Sequence, residues 1–326
     1  MPKVIMRKGA GLLTLVMLLG AVFILHGCAS QSAIQPPNAF PEIRIGIVPL
    51  PQYAHMWVAH KKGFVDDELL KAGFRLKWQP FSMGPVVNEA FAANHLDMGV
   101  MGDFPSFIGR SAGINYRIVS LASAIPKSQA LVVKKDSGII MINDLKGKKV
   151  STSKGSSGQK LLISLLEEQG MTMNDIQFIH MMMDDLAIAL MRGNVDAGVM
   201  WEPLITRLEE AGEIRIIAEG THFCPAYSVL VASEDILYKH PEAVDAVRKA
   251  YQRGSEYLKE NPEECVNLLV EDMKIPARQL LKIISKFNYN TPTDAKFVAD
   301  MRDTEMFLRK NGILKIPVDV ESFIYR

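Results

Sequence analysis

The fold is decided by the stretch Gly193-Asn194-Val195-Asp196-Ala197-Gly198-Val199-Met200, because it echoes an earlier one, Asn94-His95-Leu96-Asp97-Met98-Gly99-Val100-Met101. Each stretch has a helix end, a turn at asparagine, an acidic residue and a short apolar run that contains glycine. A short apolar run bounded by turn residues is typical of a buried strand. A glycine near a strand end also lets another group approach the backbone closely. The pair indicates two similar units, one in each half of the chain.

Outward from these stretches, strand-like and helical segments alternate. The strand-like segments are 43–48, 76–78, 98–101, 117–124, 129–134, 148–151, 177–181, 197–200, 214–218 and 227–232. The helical segments are 55–62, 86–94, 159–169, 186–192, 241–259, 262–271, 276–286 and 294–310. Such alternation is typical of an α/β fold with parallel strands. Two units predict two lobes, each a mainly parallel sheet flanked by helices.

Composition and charge exclude several classes of protein. The 326 residues are 48% hydrophobic and 22% charged, with a formal net charge of +1, which suits a globular chain of about two domains. Without the first 27 residues, which carry three basic residues and no acidic one, the formal net charge is −2. A near-neutral chain without a basic block gives no support for nucleic-acid binding.

The N-terminus has the pattern of a secretory signal. Lys3, Arg7 and Lys8 precede the uncharged run 9–25, which ends in Leu25-His26-Gly27-Cys28. The run is also close to the lower length of a spanning helix, so an uncleaved anchor is the alternative. Its end resembles bacterial lipoprotein signals, except that His26 stands where a small or hydroxyl residue is usual. The resemblance implies a signal peptide over 1–27, a lipid on Cys28 and a linker over 28–42.

Two further cysteines, Cys224 and Cys265, lie 41 residues apart. In an oxidising compartment they could form a disulfide. The alternative is two buried thiols, and the sequence leaves both open.

Four stretches in order resemble the solute-binding proteins of ABC importers for sulfonates, taurine and nitrate, a group that includes binders of thiamine precursors. The four stretches, in chain order, are Ala59 to Val65, Leu96 to Pro105 followed by Gly109 and Gly113, Asp144 to Val150 followed by Ser153 to Gly158, and Ala189 to Pro203. The resemblance covers about residues 43–326.

The resemblance implies a two-lobed clamshell of the type II periplasmic-binding-protein class. The first lobe would comprise 43–130 and 225–326, and the second 131–224, with the chain crossing between them twice. It also implies a small-molecule ligand in the cleft, closure by hinge motion, and partners in a membrane permease with a cytoplasmic ATPase. We expect a monomer that is extracytoplasmic and lipid-anchored to the cell membrane.

The candidate ligand contacts lie where ligands bind in open α/β sheets, at the carboxyl ends of parallel strands. The loop 153–158 before a helix offers amide donors, the positive end of a helix dipole and hydroxyl groups, which suits an anion. Asp103 would pair with an amine or cap a helix, Trp201 would pack on an apolar part or at a lobe interface, and Glu202 would bind a cation or cap a helix. The predicted set is Gln52, Tyr53, His55, Gly102, Asp103, Phe104, Ser128, Ser153, Gly155, Ser156, Ser157, Trp201, Glu202 and Tyr227.

Other kinds of site fit less well. The run His180-Met181-Met182-Met183 carries groups that soft metals prefer, but methionine is a common filler of core gaps, so we expect neither a metal nor a cofactor. The loop 153–158 lacks the pattern of a nucleotide P-loop. We expect no enzyme, because no set of nucleophile, base and acid stands out and the cysteine-rich stretch of the pyrimidine-making relatives is absent.

Together these features predict a binding protein for a small organic anion or zwitterion of the sulfonate or taurine kind. A sensory protein with the same clamshell, or a binder of a nitrogen heterocycle, is the alternative.

Overall fold

Two β-sheets organise the structure, a computed structural model that describes residues 40–222, 225–289 and 292–325. In chain order the strands are β1 (Glu42–Ile47), β2 (Arg75–Pro80), β3 (Met98–Gly102), β4 (Tyr116–Ala124), β5 (Gln129–Lys134), β6 (Lys149–Thr152), β7 (Gln177–His180), β8 (Ala197–Trp201), β9 (Ile214–Glu219), β10 (Tyr227–Ser233) and β11 (Asn288–Tyr289). The signal peptide, Cys28 and Cys224 lie outside the described residues, so their predicted roles stay predictions.

Helices flank both sheets. They are α1 (Ala54–Lys61), α2 (Phe64–Lys71), α3 (Gly84–Ala92), α4 (Asp103–Ser111), α5 (Ser157–Glu168), α6 (Met183–Met191), α7 (Leu204–Glu210), α8 (Glu234–Lys239), α9 (Pro241–Glu260), α10 (Pro262–Met273), α11 (Ala277–Ile284), α12 (Ala295–Lys310) and α13 (Val320–Phe323). In the described part of the chain, none of these helices has the length and hydropathy needed to cross a bilayer.

The two sheets have equivalent strand orders when the first is read in reverse, except that the first has an additional edge strand, β11. The first runs β11-β4-β10-β3-β1-β2 and the second β7-β6-β8-β5-β9. In each, three neighbouring strands are parallel, and one strand that has crossed from the other sheet is inserted antiparallel beside them. We call the first sheet with its flanking helices the first lobe, and the second sheet with its helices the second lobe.

The predicted two-lobed α/β clamshell is confirmed. Each sheet is mixed, because an inserted strand runs antiparallel to the others. β5 leaves β4 at the boundary of the lobes and runs away from it, whereas β6 and β8 run toward it. β10 enters the first sheet in the same manner, between β3 and β4.

Hydrophobic cores cover both faces of the second sheet. Leu131 and Val133 of β5 face a core with the apolar side of α5, while Ala130 and Val132 face a second core with α6 and α7. This arrangement follows from the apolar run Ala130 to Val133 in β5, because consecutive apolar residues allow a strand to be buried on both sides. The first lobe has a single larger core around its sheet.

Candidate functional site

The predicted ligand loops come together where the chain passes between the lobes. One crossing runs from β4 to β5 and the other from β9 to β10. The two crossings lie side by side, since the Ile125 amide donates to the Ala226 carbonyl at 2.8 Å. The strands β1, β3, β6 and β8 end at this boundary, and we call the loops that follow them in each lobe the two walls of the cleft.

The first-lobe wall is dominated by a buried acid, Asp103, at the start of α4. Its Oδ1 accepts the Phe104 amide at 2.9 Å, and its Oδ2 has no hydrogen-bond partner among the described residues. Burial raises the pKa of the Asp103 carboxyl to about 7, against the opposing charge of Lys160 and nearby backbone amides. This carboxyl therefore loses its proton far less readily than an exposed one.

The phenol of Tyr53 lies near Asp103, and Ser128 carries a second buried hydroxyl. Tyr53 is buried at the end of a short 3-10 helix, Pro51–Tyr53, after β1. Burial raises the pKa of the Tyr53 phenol, and the neighbouring Ser228 and Gln52 side chains partly offset that effect. Ser128, at the first crossing, is 5% exposed, and its hydroxyl has no partner among the described residues. Buried polar groups are normally hydrogen-bonded, so an orphaned carboxylate oxygen and hydroxyl indicate a place for a ligand or ordered water.

The second-lobe wall is the loop before α5. Gly155 adopts a left-handed φ of 73°, and its amide donates to Gln159 Oε1 at 2.6 Å. Ser156 caps the helix by accepting the Gln159 amide at 3.3 Å. Its hydroxyl also donates to the carbonyl of Ser153 at 2.6 Å, and the Ser153 hydroxyl donates to the Met181 carbonyl at 3.0 Å. The hydroxyls of Ser153 and Ser156 thus shape the loop.

Trp201 closes the second-lobe wall at the end of β8. Its indole N–H donates to the Ser157 hydroxyl at 3.4 Å. The ring lies against Gly158, where a Cβ atom would come within 2.8 Å of indole Cζ2. Glycine at this position therefore allows the first turn of α5 to approach the tryptophan ring. The contact places an aromatic surface beside the helix N-terminus.

A lysine joins the two walls. Lys160 lies in the first turn of α5, and its ammonium donates to the Thr304 hydroxyl of α12, in the first lobe, at 3.2 Å. The same charge lowers the pKa of Asp103, so Lys160 lies near enough to that carboxyl to act on it. Sequence reasoning missed Lys160. A signal was present, because a cation in the first turn of a helix is unfavourable without another role.

Glu202 has the helix-capping role that the sequence left open. Its carboxylate accepts the amide and hydroxyl of Thr206 at 3.0 and 2.9 Å, and it forms an ion pair with Lys286, which follows α11. The side chain is 1% exposed. These partners occupy the carboxylate, and the ion pair joins the second lobe to the C-terminal helices.

The structure does not bring His55 to the other predicted residues. It is buried in α1, where its ring lies 4.9 Å from Tyr289 and 6.3 Å from Tyr251, and it lines a different pocket. Phe104 is buried against Phe307. Tyr227 lies beside Gly102, and its hydroxyl donates to the Asp300 carboxylate at 2.5 Å.

Comparisons with known proteins agree with this architecture. A putative aliphatic sulfonates-binding protein of Bacillus subtilis is 28% identical over 98% of this chain and 95% of its own length. The taurine-binding periplasmic protein of Escherichia coli is 26% identical over 78% of this chain and 82% of its own. The crystal structure of the periplasmic aliphatic sulphonate-binding protein of Escherichia coli superposes with a TM-score of 0.81 and 25% identity, over 87% of this chain and 92% of that one.

A family model described as NMT1/THI5 like matches residues 50–265, about two thirds of the sequence. The chain therefore belongs to the NMT1/THI5-like family.

Proposed function

We propose that this protein is the solute-binding component of an ABC importer and captures a small organic anion or zwitterion of the sulfonate kind between its lobes. The observation that carries the proposal is the pairing of Asp103 on one wall with Lys160 and the α5 N-terminus on the other. An acid on one wall and an anion-suited helix end on the other match a ligand with opposite charges at its two ends. The named relatives are sulfonate- and taurine-binding proteins, which supports the ligand class.

The anionic group belongs at the second-lobe wall. Free amides at a helix N-terminus and its positive dipole end favour an anion. Lys160 adds a full charge in the same turn, and Trp201 offers an apolar face for a short carbon chain. An amine, where the ligand has one, belongs near Asp103 and the hydroxyls of Tyr53 and Ser128, because only Asp103 among these groups can carry a negative charge at neutral pH.

We propose binding without chemistry. Cys265 is the one cysteine among the described residues, and it is buried in the first-lobe core, away from the cleft. Burial raises the pKa of its thiol to about 11, so it is a poor nucleophile at neutral pH. The cleft groups themselves, an acid, hydroxyls and a lysine from the opposite lobe, match recognition by charge and hydrogen bonding.

The proposal includes an anchor and partners. A lipid on Cys28 would hold the protein at the outer side of the cell membrane, beside a permease whose ATPase lies in the cytoplasm. Labelling cells with a radioactive fatty acid tests the anchor: we expect label on the wild-type protein and none on Cys28→Ser. Labelled Cys28→Ser, or unlabelled wild type, would contradict it.

Calorimetric titration of the purified protein tests the ligand class, with taurine, ethanesulfonate and nitrate as ligands. We expect both sulfonates to bind, and a saturating one, at about 100 times its Kd, to stabilise the folded state by about 2.7 kcal/mol. Trp201→Ala should weaken the binding of both sulfonates, since it removes the aromatic ring from the second-lobe wall. The matched control is Ser164→Ala, further along α5, which should leave both affinities unchanged. No heat from either sulfonate would reject the ligand class.

A further inference from the structure

A second pocket lies in the first lobe, between α1, β4 and α9. Its volume is about 600 Å³, within the range of small-molecule sites. Its floor contains His55 of α1 and Tyr251 of α9, which are 2% and 4% exposed. Apart from His55, none of the ligand residues predicted from the sequence lines it.

The floor holds two polar atoms that the described protein leaves unpaired. Neither His55 Nδ1 nor the Tyr251 hydroxyl has a hydrogen-bond partner among the described residues. Such groups cost stability when they are buried and unpaired, so two of them at the floor of one cavity indicate an occupant that bonds to them.

Tight packing holds this floor in place. A Cβ atom at Gly254 of α9 would lie 2.2 Å from the His55 carbonyl, so α1 and α9 approach each other through a glycine. Burial lowers the pKa of His55 to about 3 and raises that of Tyr251. The floor is therefore rigid and uncharged at neutral pH, and it offers hydrogen bonds to a neutral polar group such as a hydroxyl.

The mouth of the pocket has the opposite character. Arg248 and Lys249 line it from the exposed side of α9, together with Asp245, whose carboxylate lies 3.2 Å from Arg248. Lys249 forms no ion pair within the described part of the chain. One cation is thus left without a counter-charge at the mouth. Between mouth and floor the walls carry the apolar side chains of Met56 and Leu121.

We propose that this pocket is a second binding site, for a short organic anion that carries a hydroxyl group at its far end. Lys249 and Arg248 bind the anionic group at the mouth. The carbon chain lies along the apolar walls, and the hydroxyl bonds to His55 and Tyr251. The site is independent of the cleft and does not rest on the ligand proposed there.

Nuclear magnetic resonance with methyl-labelled methionine tests the site in the full chain. Met56 is buried in the pocket wall, and its methyl signal can be assigned with Met56→Leu. Three probes separate the parts of the proposal: 4-hydroxybutyrate has both polar ends, butyrate lacks the hydroxyl, and 1,4-butanediol lacks the charge. We expect a saturable shift with 4-hydroxybutyrate and about fivefold weaker binding of either other probe.

Variants locate the contacts. Tyr251→Phe should reduce the affinity for 4-hydroxybutyrate to that for butyrate. Lys249→Ala should weaken the binding of both anions but not that of the diol. Lys259→Ala, an exposed lysine of the same helix outside this pocket, is the matched control and should change nothing. Trp201→Ala, in the cleft, should also leave the Met56 response intact.

Three results would overturn the proposal. With no Met56 shift for any probe, the cavity holds water alone, and equal shifts for all three would show that neither the charge nor the hydroxyl is recognised. Loss of the Met56 response in Trp201→Ala would show that the probes act from the cleft. A failure of sulfonate binding in the cleft would leave this test unaffected, because none of its readouts uses a sulfonate.

Discussion

Asp103 and Glu202 occupy equivalent positions in the two lobes and have opposite surroundings. Each acid comes two residues after the apolar run of its paired stretch, at the end of β3 or β8, and each is nearly inaccessible to solvent. Glu202 has Thr206 and Lys286 as partners. Asp103 has one backbone partner and an oxygen without any among the described residues.

The comparison shows how one scaffold separates structure from recognition. A buried acid whose bonding capacity is filled by the protein joins elements together, as Glu202 joins α7 to the segment after α11. A buried acid with an oxygen that has no partner among the described residues, such as Asp103, can accept a hydrogen bond from a ligand. Partner groups elsewhere in the chain, and not the position after the strand, determine which role each acid has.

The largest effect is expected from breaking the Glu202 pair. Glu202→Gln leaves the ammonium of Lys286, which is 16% exposed, without its counter-charge, and should destabilise the protein by about 4 kcal/mol in urea unfolding. The exposed pair of Arg302 with Glu321 is the matched control, and Glu321→Gln should cost less than about 1 kcal/mol. Equal costs for the two variants would mean that the buried pair is not structural.

The next effect is the contribution of Asp103 to the pH dependence of stability. It is measured as the difference between Asp103→Asn and the wild type, because buried His55, with its pKa lowered to about 3, contributes in the opposite direction over the same range. The pKa of this carboxyl rises from its ordinary 3.8 to about 7 on folding, so the folded state binds a proton that the unfolded state has lost. This contribution to stability is complete below pH 3.8 and is lost as the pH rises toward 7. Asp103→Asn should remove a decline of about 3 kcal/mol, measured by urea unfolding across that range.

The exposed Asp303, changed to Asn, is the control for that series. Its pH profile should match that of the wild type. If the profile of Asp103→Asn also matched the wild type, the carboxyl of Asp103 would not be protonated in the folded protein.

A smaller effect concerns selectivity. Asp103→Asn should weaken taurine binding by about tenfold. Its affinity for ethanesulfonate, which has no amine, should stay within about twofold of the wild-type value. Because an ammonium favours the ionised carboxyl, taurine binding to the wild type should weaken as the pH falls below 7, while ethanesulfonate binding should not. Calorimetric titration at several pH values measures both. Equal losses for the two ligands would place the amine elsewhere.

The smallest effect separates the two contributions of Trp201. Trp201→Phe keeps an aromatic ring and removes the N–H that donates to Ser157 at the long distance of 3.4 Å. We expect about a twofold loss of ethanesulfonate affinity, well short of the loss in Trp201→Ala. A loss as large as that of the alanine variant would assign the main role to the hydrogen bond.

Much of the fold could be predicted from the sequence because several central strands contain short apolar runs bounded by polar or turn residues. The run 129–134 became β5 at Gln129–Lys134, and 98–101 became β3 at Met98–Gly102. α2 was not predicted, since it begins directly after α1 at a left-handed glycine, Gly63, with no intervening loop. The antiparallel placement of β5 and β10 could not be predicted either, because the apolar pattern of a strand does not indicate its direction in the sheet.

The candidate site could be predicted as a set of loops, but the role of each residue could not. Glu202 finds its partner Lys286 84 residues further along the chain. His55 and Tyr53 are neighbours in sequence and belong to different pockets, because the start of α1 turns their side chains to different sides. These outcomes depend on contacts made only in the folded chain.

The inserted strands have a consequence for the order of folding. β10 lies between β3 and β4 in the finished sheet, so those two strands cannot be joined until residue 233 has emerged. The second sheet, by contrast, is complete within one uninterrupted segment, 129–219. Long-range pairing of this kind slows folding, since a large loop must close before its contacts form. The second lobe is therefore the segment that could be excised and refolded alone, whereas the first lobe depends on both ends of the chain.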